Sequence, residues 1–145
     1  MSPKYSSTHF SFWIVALFFL LWNLVGVLSF FTHTFISDAS LAALPENERA
    51  LYTQYPLWTT IVFGAAVFYG FTSALGLLMK KKWARIAASI SFITVLIQMI
   101  HNVFYTDSIA VYGIIEAITM PVLVVVFSLL LLLYTNRGVK KGWLN

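Results

Sequence analysis

Six residues spread over four apolar segments carry the side chains that could do chemistry in this chain: Asn23, Tyr69, Gln98, His101, Asn102 and Glu116. Three of them crowd the stretch Gln98-Met99-Ile100-His101-Asn102-Val103-Phe104-Tyr105, which closes the apolar run SISFITVLI. Amides in such a place either tie helices together or hold the polar groups of a ligand. As ties, they contribute about 0.6 kcal/mol each on average, with some near 1.7. Glu116 demands more, because a carboxylate at the centre of a membrane helix costs about 2.5–3.5 kcal/mol on insertion scales. His101 or Gln98 is its expected partner, unless it reaches headgroups or water. His33 and His101 fall near the same end of different segments, the arrangement by which two histidines hold a haem in a four-helix bundle. Two histidines and a glutamate are also a zinc donor set, but no short ligand spacing supports one. His9 precedes the first segment and reads as a solvated interfacial residue.

Much chemistry is excluded. The chain has no cysteine, so it has no disulfide, thiolate metal site or nucleophilic thiol. It contains no P-loop, GxGxxG, GxSxG or HExxH motif. The expectation is therefore a protein that is not an enzyme, with no catalytic residue, no metal and no resident cofactor.

The elements that must position these residues are membrane helices. Of the 145 residues, 60% are hydrophobic and only 10% charged, with a mean hydropathy of +0.85; a soluble domain carries about 25% charged residues. Four runs reach the ~20 apolar residues that a hydrocarbon core requires: 10–31, 57–79, 83–104 and 109–134. Each must be helical, since lipid offers no partner for a free backbone group. The first run is longer than a signal-peptide core and no small-residue cleavage site follows, so it is expected to be retained. Residues 1–145 thus read as a single transmembrane domain.

Charge sets the orientation. Lys4, Lys80, Lys81, Lys82, Arg85, Arg137, Lys140 and Lys141 fall on one side of the spans, eight of the nine basic residues. Arg49 shares the other side with Asp38, Glu46, Glu48, Asp107 and Glu116. The positive-inside rule makes the first side cytoplasmic, with both termini there. The net charge of +4 is thus a topology signal, suited to anionic headgroups rather than to nucleic acid. In the one long loop, Pro45, Glu46 and Glu48 open a short helix and Pro56 closes it. Ala50, Leu51, Tyr52 and Tyr55 give it an apolar face, fitting it to lie at the outer interface or to act as a lid over the bundle. The Lys80–Lys82 turn is tight enough to force an antiparallel pair.

On a wheel of about 100° per residue, Ser91, Thr94, Gln98, His101, Asn102 and Tyr105 share one face of the third span, and Ala84 and Ala87 extend it. Asn23, Ala16, Gly26 and Thr34 share a face of the first. Ala65, Ala66, Tyr69, Thr72, Ser73 and Gly76 gather on the second, small enough for a neighbour's close approach. Tyr112, Glu116 and Thr119 line up on the fourth, where Pro121 removes a hydrogen bond to Ala117 and is expected to kink the helix. These faces together describe a polar seam inside the bundle.

WNLVG (Trp22–Gly26), LPENERALY (Leu44–Tyr52) with YPLW (Tyr55–Trp58), and KKWA (Lys81–Ala84) are similar to segments of a family of small four-helix bacterial inner-membrane proteins. Gln98, VYG (Val111–Gly113), MP (Met120–Pro121) and the terminal GWL (Gly142–Leu144) add to the resemblance, which covers most of the chain. That family often carries the label "sugar transporter". What the resemblance implies is the format: four spans in a bacterial inner membrane.

The fold expected is an all-α membrane protein of four antiparallel transmembrane helices, N-in and C-in, with a short outer-face interfacial helix. Its first partner is the lipid bilayer, and it is expected to join a homo-oligomer or a larger membrane complex. The leading functional expectation is an accessory or structural subunit packing with other membrane proteins. The alternative is a homo-oligomeric transporter or binder of a small solute, a sugar among them. It would use the seam of Asn23, Tyr69, Gln98, His101, Asn102 and Glu116, and a site held by four helices would need a dimer for alternating access. A haem-, quinone- or lipid-binding module is the third.

Overall fold

The computed structural model describes residues 8–145, which form seven α-helices: α1 (Phe10–Thr34), α2 (Asp38–Ala42), α3 (Glu46–Leu51), α4 (Leu57–Leu78), α5 (Trp83–Phe104), α6 (Ser108–Tyr112) and α7 (Ile114–Lys140). A 3-10 turn, Tyr52–Gln54, connects α3 toward α4. Helices α1, α4, α5 and α7 are long and apolar enough to cross a membrane. Lys4 lies outside the described residues.

Three boundaries differ from the sequence expectation. Helix α1 continues to Thr34 and so carries His33 in its last turn. The loop holds two short helices rather than one: α2 is capped by Ser37, whose Oγ accepts from the Ser40 amide at 3.1 Å, and α3 starts directly after Pro45. The fourth segment is broken at Gly113, where φ is +83°. That backbone conformation separates α6 from α7 and suits glycine because it has no Cβ to clash. Helix α7 then runs through Pro121 to Lys140, well past 134.

The core pair is α4 and α5, joined by the turn at 79–82. Small residues bring their backbones together. Ser73 Oγ donates to the Ala84 carbonyl at 2.8 Å and Ser91 Oγ to the Ala66 carbonyl at 2.7 Å. A Cβ placed on Gly76 would fall 2.8 Å from Ala84 Cβ. The buried face of α5 is Ala84, Ala87, Ala88, Ser91, Val95, Gln98 and His101, a helical stripe at spacings of three and four. On α4 the buried face passes through Ala66, Gly70, Ser73, Ala74 and Leu77. Tyr69 and Thr72, expected on that face, are exposed. The face is centred on the Gly70–Ser73–Ala74 side of the wheel, because only residues of that size allow α5 to come so close.

Helix α1 packs against the free side of α4, and α7 against the free side of α5. This row of four curls until α1 and α7 meet through aromatic rings: Phe12 and Phe19 on Tyr134, and Phe18 and Trp22 on Phe127. The end of the bundle that carries Lys80–Lys82 and Arg137–Lys141 is closed by the last residues of the chain. After the left-handed Gly142, with φ at +72°, Leu144 is buried against Gly138 and Trp143 packs on Phe12. Asn145 donates its amide to the Lys80 carbonyl at 2.7 Å and accepts from the Lys82 amide at 3.1 Å.

Candidate functional site

Gln98 is the centre of the polar seam. It sits three turns along the buried stripe of α5 from Ala87 and is 3% exposed. Its Nε2 donates to Asn102 Oδ1, one turn further along α5, at 3.3 Å. Its Oε1 has no partner. A buried acceptor left without a donor costs about 1–3 kcal/mol, so the arrangement is one that a ligand can improve. Asn102 Nδ2 meets only the soft sulfur of Met99, at 4.0 Å, while the Asn102 backbone carbonyl takes hydroxyls from Thr106 and Ser108.

Two cavities share Gln98 as a wall. One, of about 210 Å³, lies toward the loop end of the bundle and is lined by Ser29, His33, Tyr55, Thr59, Thr60, Phe63, Gln98, Met99 and Asn102. The other, of about 230 Å³, reaches to the middle of the bundle among Trp22, Gly26, Phe63, Val67, Val95, Met120, Val124, Phe127 and Leu131. Ser29, Phe63, Gln98 and Met99 belong to both. The first is edged by hydroxyls, amides and an imidazole; the second adds mostly apolar surface, with Asn23, Ser29, Ser91, Gln98 and Ser128 as its polar residues. No Asp, Glu, Lys or Arg lines either one.

Asn23 marks the floor of the inner cavity. Its Nδ2 is returned to the Phe19 carbonyl at 2.8 Å, a local bond that satisfies it within α1. Its Oδ1 lies against Gly70 so closely that a Cβ there would overlap it, and would also come within 3.0 Å of Ser91 Oγ. Gly70 is therefore the residue that lets α1, α4 and α5 converge at this depth.

The roof is aromatic. His33 stacks on Tyr52 at 4.7 Å between ring centroids and meets the edge of Tyr55 at 5.2 Å. His101 packs on Tyr55 at 5.5 Å, on Trp58 at 5.4 Å and on Tyr105 at 6.0 Å. Tyr55 thus joins the two histidines and lines the loop-end cavity. Burial pushes the Tyr55 phenol above its ordinary value, with Tyr52 adding to this and Thr106 opposing it. The loop is fastened to the α5–α6 turn by a reciprocal pair: Gln54 Nε2 donates to Asp107 Oδ2 at 2.6 Å, and the Asp107 amide donates to Gln54 Oε1 at 2.7 Å. Tyr112 reaches Glu48 at 3.4 Å; burial first and the Glu48 carboxylate second raise its phenol as well.

Of the six residues singled out from sequence, Asn23, Gln98 and Asn102 line the cavities and His101 packs behind Tyr55 in the roof. Tyr69 is 42% exposed and does not join them. Glu116 is also exposed. It stands in the first turn of α7, just after Gly113, where the positive end of the helix dipole favours a carboxylate without any partner in the bundle. The expected pairing of Glu116 with His101 or Gln98 does not form: His101 is surrounded by aromatic rings and Gln98 by Asn102. Sequence reasoning missed Ser29, Thr60, Tyr55 and Phe63 as lining residues. Only Tyr55 carried a signal, as part of the loop weighed as a lid. Among the described residues no three His, Asp or Glu side chains gather to hold a metal ion. No family model, curated protein or solved structure matches the chain.

Proposed function

We propose that this protein is a small-molecule-binding protein of a bacterial inner membrane, acting as a carrier or receptor, with its site in the paired cavities around Gln98. Its spans alternate in direction, with both termini on the cytoplasmic side, as the basic residues at one end favour. The roof and the site then lie in the outer half of the bilayer. The observation that carries this reading is Gln98 Oε1: 97% of its residue is shielded, it has no hydrogen-bond partner, and its side chain walls two adjoining cavities. A residue kept only to tie helices would be spent on a neighbouring helix. Gln98 reaches only Asn102, on its own helix.

Native mass spectrometry of the protein released gently from its own membrane tests the reading. The wild type is expected to retain a small-molecule adduct that Gln98→Leu loses. An adduct-free wild type, or an adduct held equally by both, would overturn it. A stoichiometric protein subunit in place of the adduct would favour the accessory-subunit reading.

A further inference from the structure

The cavities differ in chemistry along their length, and the difference runs the way a bilayer does. The polar cavity lies beneath the loop, near the level where lipid headgroups begin. The more apolar one, where Trp22, Val25, Val67, Val95, Met120, Val124 and Phe127 outnumber a few hydroxyls and amides, reaches toward the middle of the bundle. With no ionisable carboxylate, ammonium or guanidinium in either wall, a charged group would be stripped of water there without compensation.

The inner cavity also has a side opening. The aromatic contacts that join α1 to α7 begin at Phe12 and stop at the Trp22–Phe127 pair, whose centroids are 4.5 Å apart. Beyond that pair, toward the loop, Val25 of α1 and Met120 of α7 both line the cavity. They are nonetheless 58% and 56% exposed, more than the walls of an enclosed cavity would be. Residues that face a cavity and the surroundings at once are the two lips of an aperture. In a membrane this aperture faces lipid.

The hydrogen-bonding complement at the waist is small and defined. Gln98 Oε1 wants a donor, and Asn102 Nδ2 has only a thioether to donate to. Turning both amides over leaves the same inventory, one free acceptor and one free donor. A hydroxyl supplies both. A ketone or ester carbonyl supplies only the acceptor and leaves the glutamine oxygen unmet. At about 210 and 230 Å³, each cavity is below the range of about 300–1,000 Å³ usual for drug-sized ligands. They suit a small head and a single chain that continues outward through the aperture.

We infer that the site takes an uncharged, single-chain amphiphile with a hydroxyl-bearing head of about glycerol size, which arrives sideways from the bilayer between α1 and α7. Its head lies between Gln98, Asn102 and Tyr55, and its chain passes Met99 and Phe127 toward Val25 and Met120. This rests on the binding-protein reading above and names the ligand class.

The test uses the whole protein in nanodiscs with a 1-monoacylglycerol that carries a photoreactive diazirine in its chain, adducts being mapped by peptide mass spectrometry. Adducts are expected on Met99, Met120, Val124 and Phe127. Unlabelled 1-monoacylglycerol should compete, while the matching fatty-acid anion and glucose should not. Gln98→Leu should weaken labelling about five- to tenfold, the loss of one neutral hydrogen bond. Val25→Trp, a change at an exposed position that leaves Gln98 in place, should block labelling by filling the aperture. Adducts spread over the lipid faces at Ile86 and Ile93, or equal competition by the fatty-acid anion, would overturn the ligand class. So would labelling unaffected by Val25→Trp in a protein that still melts normally. If the native protein carries another adduct that depends on Gln98, only the class falls; if it carries none, the binding reading falls too.

Discussion

At the scale of single residues, the site is maintained against stability rather than for it. Gln98 leaves its Oε1 unpaired in a buried position, so replacing it by leucine removes a penalty as well as the proposed ligand contact. Gln98→Leu is expected to raise the unfolding free energy of the ligand-free protein by about 1 kcal/mol, read as a higher midpoint in a denaturation of the detergent-solubilised protein. A midpoint lowered by that amount would mean that the amide is a structural tie. Gly70 shows the opposite balance. Gly70→Ala would drive a methyl into Asn23 and Ser91 and should cost about 1–3 kcal/mol as an overpacking change. If the clash with Asn23 is the cause, the double variant Gly70→Ala/Asn23→Ala should recover much of that loss; a purely additive result would place the cost elsewhere.

At the scale of elements, the loop is held by few groups, and those groups are named. The Gln54–Asp107 pair links the 3-10 turn to the segment after α5, and both partners are accessible to solvent, so their contribution is modest. Asp107→Ala is expected to speed deuterium uptake across residues 46–55 about fivefold while α4 and α5 keep their protection. Unchanged uptake would show that the aromatic contacts of Tyr52 and Tyr55 with the histidines and the Tyr112–Glu48 hydrogen bond hold the loop without it. The Tyr55 phenol offers a pH test. Burial raises its folded-state value above the ordinary value of 10.0, so its neutral form is the one the fold prefers. Its contribution is complete at neutral pH and is lost as the pH climbs through that raised value. Absorbance near 295 nm should therefore show a late-ionising tyrosine component to which Tyr55 and Tyr112 both contribute, and Tyr55→Phe should remove the Tyr55 share of it.

At the scale of the whole molecule, the bundle is closed at one end and parted at the other. The basic end is zipped by the Phe12, Phe19 and Tyr134 rings and plugged by Trp143 and Leu144. Toward the loop, α1 and α7 separate around the inner cavity. Because the chain has no cysteine, spin labels can be placed in pairs without background. Leu17→Cys with Leu130→Cys, both exposed and in the zipped half, should give a narrow distance distribution. Leu28→Cys with Ile115→Cys, exposed in the parted half and outside both cavities, should give a broad one that narrows when the proposed ligand is added. Two equally narrow distributions would mean a rigid cleft with no give at the aperture.

Hydrophobicity and spacing by themselves determined that this chain forms four long apolar helices. They also determined that α5 turns a stripe from Ala84 through Ser91 to Gln98 and His101 inward, because a continuous apolar segment of about 20 residues satisfies its own backbone in lipid only as a helix and a 3.6-residue period fixes one inward face. The helix break at Gly113 and the inward role of the last residues were not legible. The first depends on a positive φ that local sequence permits without requiring. The second depends on Gly138 leaving room for Leu144 from further along the chain. Nor could the wheel decide that Tyr69 and Glu116 face outward. On α4 the small residues are spread widely enough to allow more than one packing face, and on α7 the carboxylate is already comfortable at the helix start. Tertiary structure alone decided that Gln98 would stand unpaired between two cavities. That outcome depends on where α1 and α7 stop touching, and their aromatic contacts join residues more than a hundred positions apart.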